Sequence, residues 1–270
     1  MVTIADDFSL EKTVDSGQAF RCEKLDEKTY RFISAAHVLE IEERAPTQYA
    51  LSVTSDEWVS YWADYFDLNR QYRPIREKAQ AEGGFLGEAA RFGAGIRILR
   101  QDPFEMLLTF ILSQRKNIPA IIQSVRRMAD VYGEPAPGAP GLRFFPTPKA
   151  LAGVTEAEYR ALGMGYRAPY LVDAVSRVLD GRLNLSKLQD ADDATLITAL
   201  MQVKGVGIKV ANCIALYGYG RMTAAPVDVW IQRAIDQYFD GKNVFLQFGE
   251  SAGILQQYVF YAMRRMPREE

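Results

Sequence analysis

Three residues, Gly205-Val206-Gly207, constrain this chain more than any others. Leu196, Leu200 and Val203 precede them at helical spacing, and Val210, Ala211, Ile214 and Ala215 follow at helical spacing again. Two amphipathic helices this close in sequence must turn back on one another. The glycines supply the positive φ and the close backbone approach that so tight a turn needs. The free N–H groups of the hairpin and of the second helix's first turn then point outward together, which suits a phosphate. A glycine turn between helices is common. The ordered string L-x-x-V-x-G-V-G-x-K-x-A, from Leu200 to Ala211, is far more specific.

Lys209 falls in the first turn of the second helix. A cation there opposes the helix dipole, which favours the neutral amine that a lysine nucleophile needs. The plain alternative is a phosphate-binding or solvated lysine. Asp228 weighs against that alternative. It follows a turn-rich stretch, 218–227, and precedes a helix starting near Val229. An aspartate there is an N-cap, worth about 1 kcal/mol. It is also an oriented carboxylate, able to stabilise a developing cation or steer a proton.

The rest of the chain sorts into a small sheet and a helical body. Residues 1–54 are strand-rich: His37 to Glu42 alternates, and Tyr30, Phe32, Tyr49, Leu51 and Val53 are strand formers between turns. From Ser55, a candidate cap, the spacing of Trp58, Tyr61, Trp62, Tyr65 and Phe66 predicts helix, with the tryptophans as core. Glu82-Gly83-Gly84-Phe85 is a break. A long amphipathic stretch follows Asp102-Pro103 with Phe104, Leu107, Leu108, Ile111 and Leu112 as its buried stripe. Five prolines make 133–148 a loop. Helices resume near Thr155, Tyr166 and Thr195, and the last begins near Gly249. The expected class is α+β: a mostly helical body after a small N-terminal antiparallel sheet. The expected divisions are 1–97, 98–235 and 236–270.

Composition removes several kinds of chemistry. Two cysteines, Cys22 and Cys213, are too few for a disulfide scaffold, a four-cysteine zinc site or a four-cysteine iron–sulfur cluster. One histidine, His37, excludes a histidine-rich metal centre and disfavours Ser-His or Cys-His catalysis. No apolar run reaches the ~18 residues of a membrane span, and the first residues lack a secretory pattern. A cytoplasmic protein is expected. The net charge of −2 hides a gradient. Residues 1–96 carry 11 Lys/Arg against 17 Asp/Glu, whereas 97–235 carry 17 against 12. The central segment can face a polyanion, although an ordinary solvated surface would look the same.

The hairpin, Lys209 and the run Pro226-Val227-Asp228-Val229-Trp230 together resemble the 8-oxoguanine DNA glycosylase branch of the helix-hairpin-helix glycosylases. SGQAFR at 16–21, ILRQDPFEMLLTFILSQRKNI at 98–118, LGMGYRAPY at 162–170 and AGILQQYVF at 252–260 are similar to that branch in the same order. The resemblance spans essentially the whole chain. It implies a base-excision repair enzyme that flips a damaged purine out of duplex DNA. Lys209 would attack the sugar's anomeric carbon, expel the base and leave a Schiff base, after which β-elimination can nick the strand. Asp228 would stabilise the oxocarbenium-like sugar.

The resemblance implies a base pocket as well. The Gly17 carbonyl would accept the extra imide hydrogen of the oxidised purine, the one hydrogen that separates it from guanine at that edge. Cys213 and Phe260 would sandwich the base, Gln256 would read its pairing edge, and Pro226 would border it. Singly, these also read as a turn glycine, a buried thiol, a core phenylalanine and a surface glutamine. Gly205 and Gly207 would hold a phosphate, and the hairpin carbonyls can seat a structural cation; no other cofactor is implied. Tyr166 would wedge beside the base opposite the lesion, and Arg167 would contact that base. The partner would be double-stranded DNA containing an oxidised purine. The protein would act as a monomer, nucleoid-associated if bacterial.

The chain departs from the branch in places. Only Asn117 remains of an asparagine run, leaving Arg115 or Lys116 to fill the gap left by the flipped nucleotide. Ala120 stands where some members have an arginine that reads the opposite cytosine, which implies a relaxed opposite-base preference. Trp230 stands where some have histidine. Two other functions use the same scaffold: an alkyl-purine glycosylase using Asp228 and water, and a non-enzymatic helix-hairpin-helix DNA-binding protein. Lys209 and the Gly17, Gln256 and Phe260 set speak against the first; the second needs the glycine hairpin but neither Asp228 nor a base pocket.

Overall fold

The computed structural model describes residues 1–267. The chain gathers into two compact units. One comprises residues 1–31, 39–100 and the chain from Gly220 onward; the other comprises residues 32–38 and 101–219.

The first third supplies β1 (Val2–Thr3), α1 (Leu10–Asp15), β2 (Cys22–Lys24), β3 (Thr29–Ser34), β4 (His37–Ala45) and β5 (Gln48–Leu51). The strands form one antiparallel sheet in the order β1-β5-β4-β3-β2. The expected alternation is present. Tyr30, Phe32 and Ser34 are buried along β3, and Leu39 and Ile41 along β4. Helix α1 is an addition to the strand-rich expectation. Its six residues are too few to show a period. Ser9 caps it by accepting from Lys12 N at 3.3 Å, and the Lys12 ammonium donates to the Phe92 and Ala94 carbonyls at 2.9 and 3.0 Å.

The aromatic segment is helical as expected, but Thr54 caps it rather than Ser55, accepting from Glu57 N at 3.2 Å. Helix α2 (Ser55–Glu57), a wide π turn at Trp58–Trp62 and α3 (Ala63–Tyr65) run on continuously. Trp58, Trp62, Tyr65 and Phe66 are buried, and neighbouring rings meet edge to face, as at Trp62–Tyr65 (5.1 Å, 73°). Helix α4 (Arg73–Glu82) and α5 (Gly84–Phe92) are separated by Gly83, at the predicted break. The fully buried Arg97 guanidinium ties this region together. It donates to the carbonyls of Phe66, Asp7, Asp67 and Arg70 and to the Asp6 carboxylate, and lies 4.1 Å from the Tyr72 ring centroid.

The second unit is helical. Helix α6 (Pro103–Ser113) is capped by Asp102, which accepts from Glu105 N at 2.8 Å. The predicted stripe is buried, and so is every residue from Phe104 to Leu112, so α6 is a central helix rather than an amphipathic one. Next come α7 (Ile118–Tyr132), α8 (Glu156–Ala161), α9 (Ala168–Leu179), α10 (Asp193–Met201) and α11 (Ile208–Tyr219). Sequence-local caps set their starts: Asn117, the Thr155–Glu158 capping box, and Asp192. Helix α11 packs on α6, with Phe110 and Tyr217 stacked at 5.6 Å.

The chain then returns to the first unit with α12 (Val229–Tyr238) and α13 (Ala252–Arg265). Helix α13 begins three residues later than expected, after a 3-10 stretch in which Gly249 is non-helical. It packs on α5 and α12. Among the described residues, no helix is long and apolar enough to cross a membrane.

Candidate active site

The predicted hairpin lies between α10 and α11. Leu196, Leu200, Val203 and Val206 are buried, and Val206 N donates to Val203 O at 3.0 Å. Gly205 has φ +82°, and a Cβ there would lie 2.3 Å from the Tyr170 ring. Both its backbone and its neighbour demand glycine. Gly207 differs: a Cβ there would meet nothing within 4 Å. Its open side is exposed, and α11 starts beside it with its first N–H groups unsatisfied by the helix. Lys209 follows in the first turn, half-buried. Cys213 sits one turn on along the same face, buried.

A second strand of the site comes from the α6–α7 connection. Gln114 Nε2 donates to Gly205 O at 3.1 Å, fixing the hairpin from outside. A carbonyl has a second lone pair, so this bond leaves Gly205 O able to serve a cation. The Gln114 carbonyl accepts from Arg167 Nε at 3.0 Å, from Arg167 Nη2 and from the Tyr166 hydroxyl at 3.4 Å. Arg167 is therefore buried, with its guanidinium 4.5 Å from the exposed Tyr166 ring. Arg115 takes a left-handed φ of 54° and is exposed. A non-glycine residue held there by its surroundings is a frequent mark of a functional turn. Asn117 spends its side-chain oxygen on Ala120 N, 3.0 Å away. Lys116 donates to Ser124 Oγ at 2.5 Å. Burial, then the neighbouring Arg167 and Arg127 charges, push the Lys116 ammonium down to about 8.

The remaining predicted residues belong to the first unit. Asp228 caps α12, its Oδ1 accepting from Trp230 N at 3.0 Å and Ile231 N at 2.9 Å. Both cap bonds end on Oδ1, so Oδ2 has no share in capping. The carboxylate stays half-exposed, and the preceding Pro226 is buried. Gly17 has φ +79°. Its neighbours anchor it: Gln18 accepts from Leu99 N at 2.8 Å and donates to Arg97 O at 2.8 Å, while Ser16 O accepts from Gln257 Nε2 at 3.0 Å. On α13, Gln256 is buried, not on the surface, and its Oε1 has no hydrogen-bond partner. Phe260 follows one turn later, half-exposed. The structure thus groups Lys209, Cys213, Gly205, Gly207, Arg115, Asn117, Tyr166 and Arg167 in one unit, and Gly17, Pro226, Asp228, Gln256 and Phe260 in the other. Sequence reasoning missed Gln114, Tyr170, Gln18 and Gln257. Their partners lie far along the chain, and no local pattern announces them.

A paired-helix body with a phosphate-ready glycine hairpin is the fold of a helix-hairpin-helix protein. Residues 108–244 match the family model described as HhH-GPD superfamily base excision DNA repair protein, and the chain belongs to that superfamily. Residues 1–107 match the model of the 8-oxoguanine DNA glycosylase N-terminal domain. A probable N-glycosylase/DNA lyase of Methanothermobacter thermautotrophicus is 32% identical over 246 residues, 78% of this chain and 76% of that protein. The N-glycosylase/DNA lyase OGG1 of Arabidopsis thaliana is 28% identical, over 86% of this chain and 66% of that one. The 8-oxoguanine glycosylase/lyase of Clostridium acetobutylicum, solved with double-stranded DNA containing cytosine opposite 8-oxoguanine, matches with a TM-score of 0.89 at 32% identity. That match covers 96% of this chain and 92% of the other.

Proposed function

We propose that this chain excises 8-oxoguanine from duplex DNA and then nicks the strand as a lyase. One observation carries the reading: a half-exposed lysine in the first turn of the helix that leaves the glycine hairpin, with the hairpin's phosphate-ready backbone beside it. A helix-hairpin-helix binding module would use that lysine only on a phosphate, never as a nucleophile.

The chemistry follows in order. The backbone N–H groups around Gly207 take a phosphate, and Arg115 fills the gap left when the lesion leaves the stack, with Asn117, Tyr166 and Arg167 framing the opposite strand. Phe260 and Cys213 flank the extruded base, Gln256 reads its pairing edge, and the Gly17 carbonyl accepts the N7 hydrogen that guanine lacks. The Lys209 Nζ lone pair attacks C1′. The C1′–N9 bond breaks, and its electron pair leaves with the base, which takes up a proton. The Asp228 carboxylate stabilises the positive charge that develops on the sugar. Ring opening moves a proton to O4′ and leaves a Lys209–C1′ imine. Loss of a C2′ proton then expels the 3′ phosphate. Double-stranded DNA is the partner, and a monomer suffices.

Borohydride trapping tests the reading on a duplex with one 8-oxoguanine opposite cytosine. Wild type is expected to give a covalent protein–DNA adduct, and Lys209→Gln none. Base release without an adduct would show a water mechanism through Asp228 instead. Neither adduct nor release would remove this substrate.

A further inference from the structure

Gln256 and Phe260 belong to a longer stripe. Residues 256, 260 and 264 recur at i, i+4 and i+8 on α13, so Arg264 lies on the same face one turn beyond Phe260. Its guanidinium sits 5.2 Å from the Phe260 ring centroid. Among the described residues, two buried polar atoms of the stripe have no hydrogen-bond partner, and they are of opposite kind: the acceptor Gln256 Oε1 at one end and the donor Arg264 Nη1 at the other. Leaving either unpaired carries that group's desolvation penalty, the larger for the charged one. Two such orphans on either side of a half-exposed aromatic ring describe a site for a molecule with a flat ring, a donor edge and an anionic end.

The anionic end is set by charge. Among the described residues Arg264 makes no ion pair. The next residue, Arg265, is paired with Asp15. Burial, then the Arg265 charge, hold Arg264 below the ordinary guanidinium value, while Asp15, Asp228 and Tyr261 pull the other way. Asp228 caps α12 through Oδ1 and makes no hydrogen bond to Arg264. A half-buried guanidinium that makes no ion pair is served far better by an anion than by a neutral acceptor.

We infer that Arg264 is a substrate-binding residue, donating to a backbone phosphate next to the nucleotide whose base Gln256 and Phe260 hold. This rests on the glycosylase reading above. Nothing in the local sequence singles Arg264 out from Arg265; only the helical period does.

The test is made on the Lys209→Gln protein, which binds without turning over. Binding of a duplex with one 8-oxoguanine is measured by fluorescence anisotropy from low to moderate salt, with and without Arg264→Met. One lost phosphate contact is expected to weaken binding about tenfold and to reduce the slope of log K against log[salt] by about 0.9. Arg264→Lys keeps the charge and is expected to keep the slope, which separates a lost contact from a misfolded protein. A neutral methylphosphonate placed beside the lesion is expected to weaken the parent but not Arg264→Met further. An unchanged slope in Arg264→Met, or additive losses with the methylphosphonate on either side of the lesion, would overturn the inference. Failure of the glycosylase reading shows separately, as equal binding of the parent to lesion and undamaged duplexes, and takes the inference with it.

Discussion

Asp228 caps α12 and, in the proposed reading, also stabilises charge, and the two roles can be separated. Its Oδ1 accepts both cap bonds, while its charge is what the proposed chemistry uses. Asparagine caps a helix about as well as aspartate. Asp228→Asn should therefore melt within about 2 °C of wild type, since it costs well under ~1 kcal/mol. It should lose at least ~100-fold in single-turnover base excision, the scale of a lost electrostatic stabiliser. An equal loss of melting temperature and rate would mean the residue is only a cap. Lys116 offers a test by pH. Burial and the charges of Arg167 and Arg127 hold it at about 8, so it loses its proton as pH rises through that value. A bound phosphate favours the cation, so DNA affinity at fixed ionic strength should fall between pH 7 and 9. Lys116→Arg stays charged and should flatten that profile. The stability term has the opposite sign. The unfolded chain holds the proton up to the ordinary lysine value, so in this window folding gains with pH. Affinity and stability moving together would place Lys116 away from DNA.

At the scale of the element, the two hairpin glycines look alike in sequence and differ in structure. Gly205 needs its positive φ and would drive a methyl into Tyr170. Gly205→Ala should cost about 2–3 kcal/mol through strain and overpacking, read as a lower melting temperature. Gly207 has open space around its α-carbon, so Gly207→Ala should leave melting unchanged within ~2 °C. It should nonetheless weaken duplex binding at least ~10-fold, because the methyl occupies the approach of the phosphate. Unaltered binding would remove the phosphate from that side. Much at this scale is legible in sequence because it is local. Asp102, Thr155 and Asp228 announce helix starts through side chains that reach only three residues ahead, and the prolines of 133–148 announce a loop. What is missed is short or distant. Helix α1 has too few residues for a period, and Thr54 outcompetes Ser55 by one position. The Gln114 bond to Gly205 joins residues 91 apart.

At the scale of the molecule, the chain interleaves its two units, so sequence order is a poor guide to which residues share a body. The charge gradient that sets residues 97–235 apart is a property of the chain, whereas α12 and α13 return to the unit containing the acidic first third. Long-range polar ties cross that unit, and Arg97 alone makes five of them. Its fork satisfies four carbonyls and the Asp6 carboxylate from the fully buried side. Burial works against the Asp6 charge, yet the N–H groups of Tyr72, Arg73 and Asp7 and the Arg97 guanidinium hold its carboxyl below the usual value. Removing the guanidinium takes a donor from all five acceptors. Arg97→Met should cost about 3–5 kcal/mol, the range for breaking a buried ion pair from one side, and lower the melting temperature by roughly 10 °C. Arg97→Lys should recover little, because a single ammonium cannot span a planar fork's acceptors or stack as the guanidinium does on Tyr72. Arg97 touches none of the proposed chemistry, so excision per folded molecule should hold at a temperature where the variant is native. A rate that fell while the fold stayed intact would mean that the polar frame around Gln18 and Gly17, which Arg97 O helps to anchor, sets the pocket rather than merely holding the unit together.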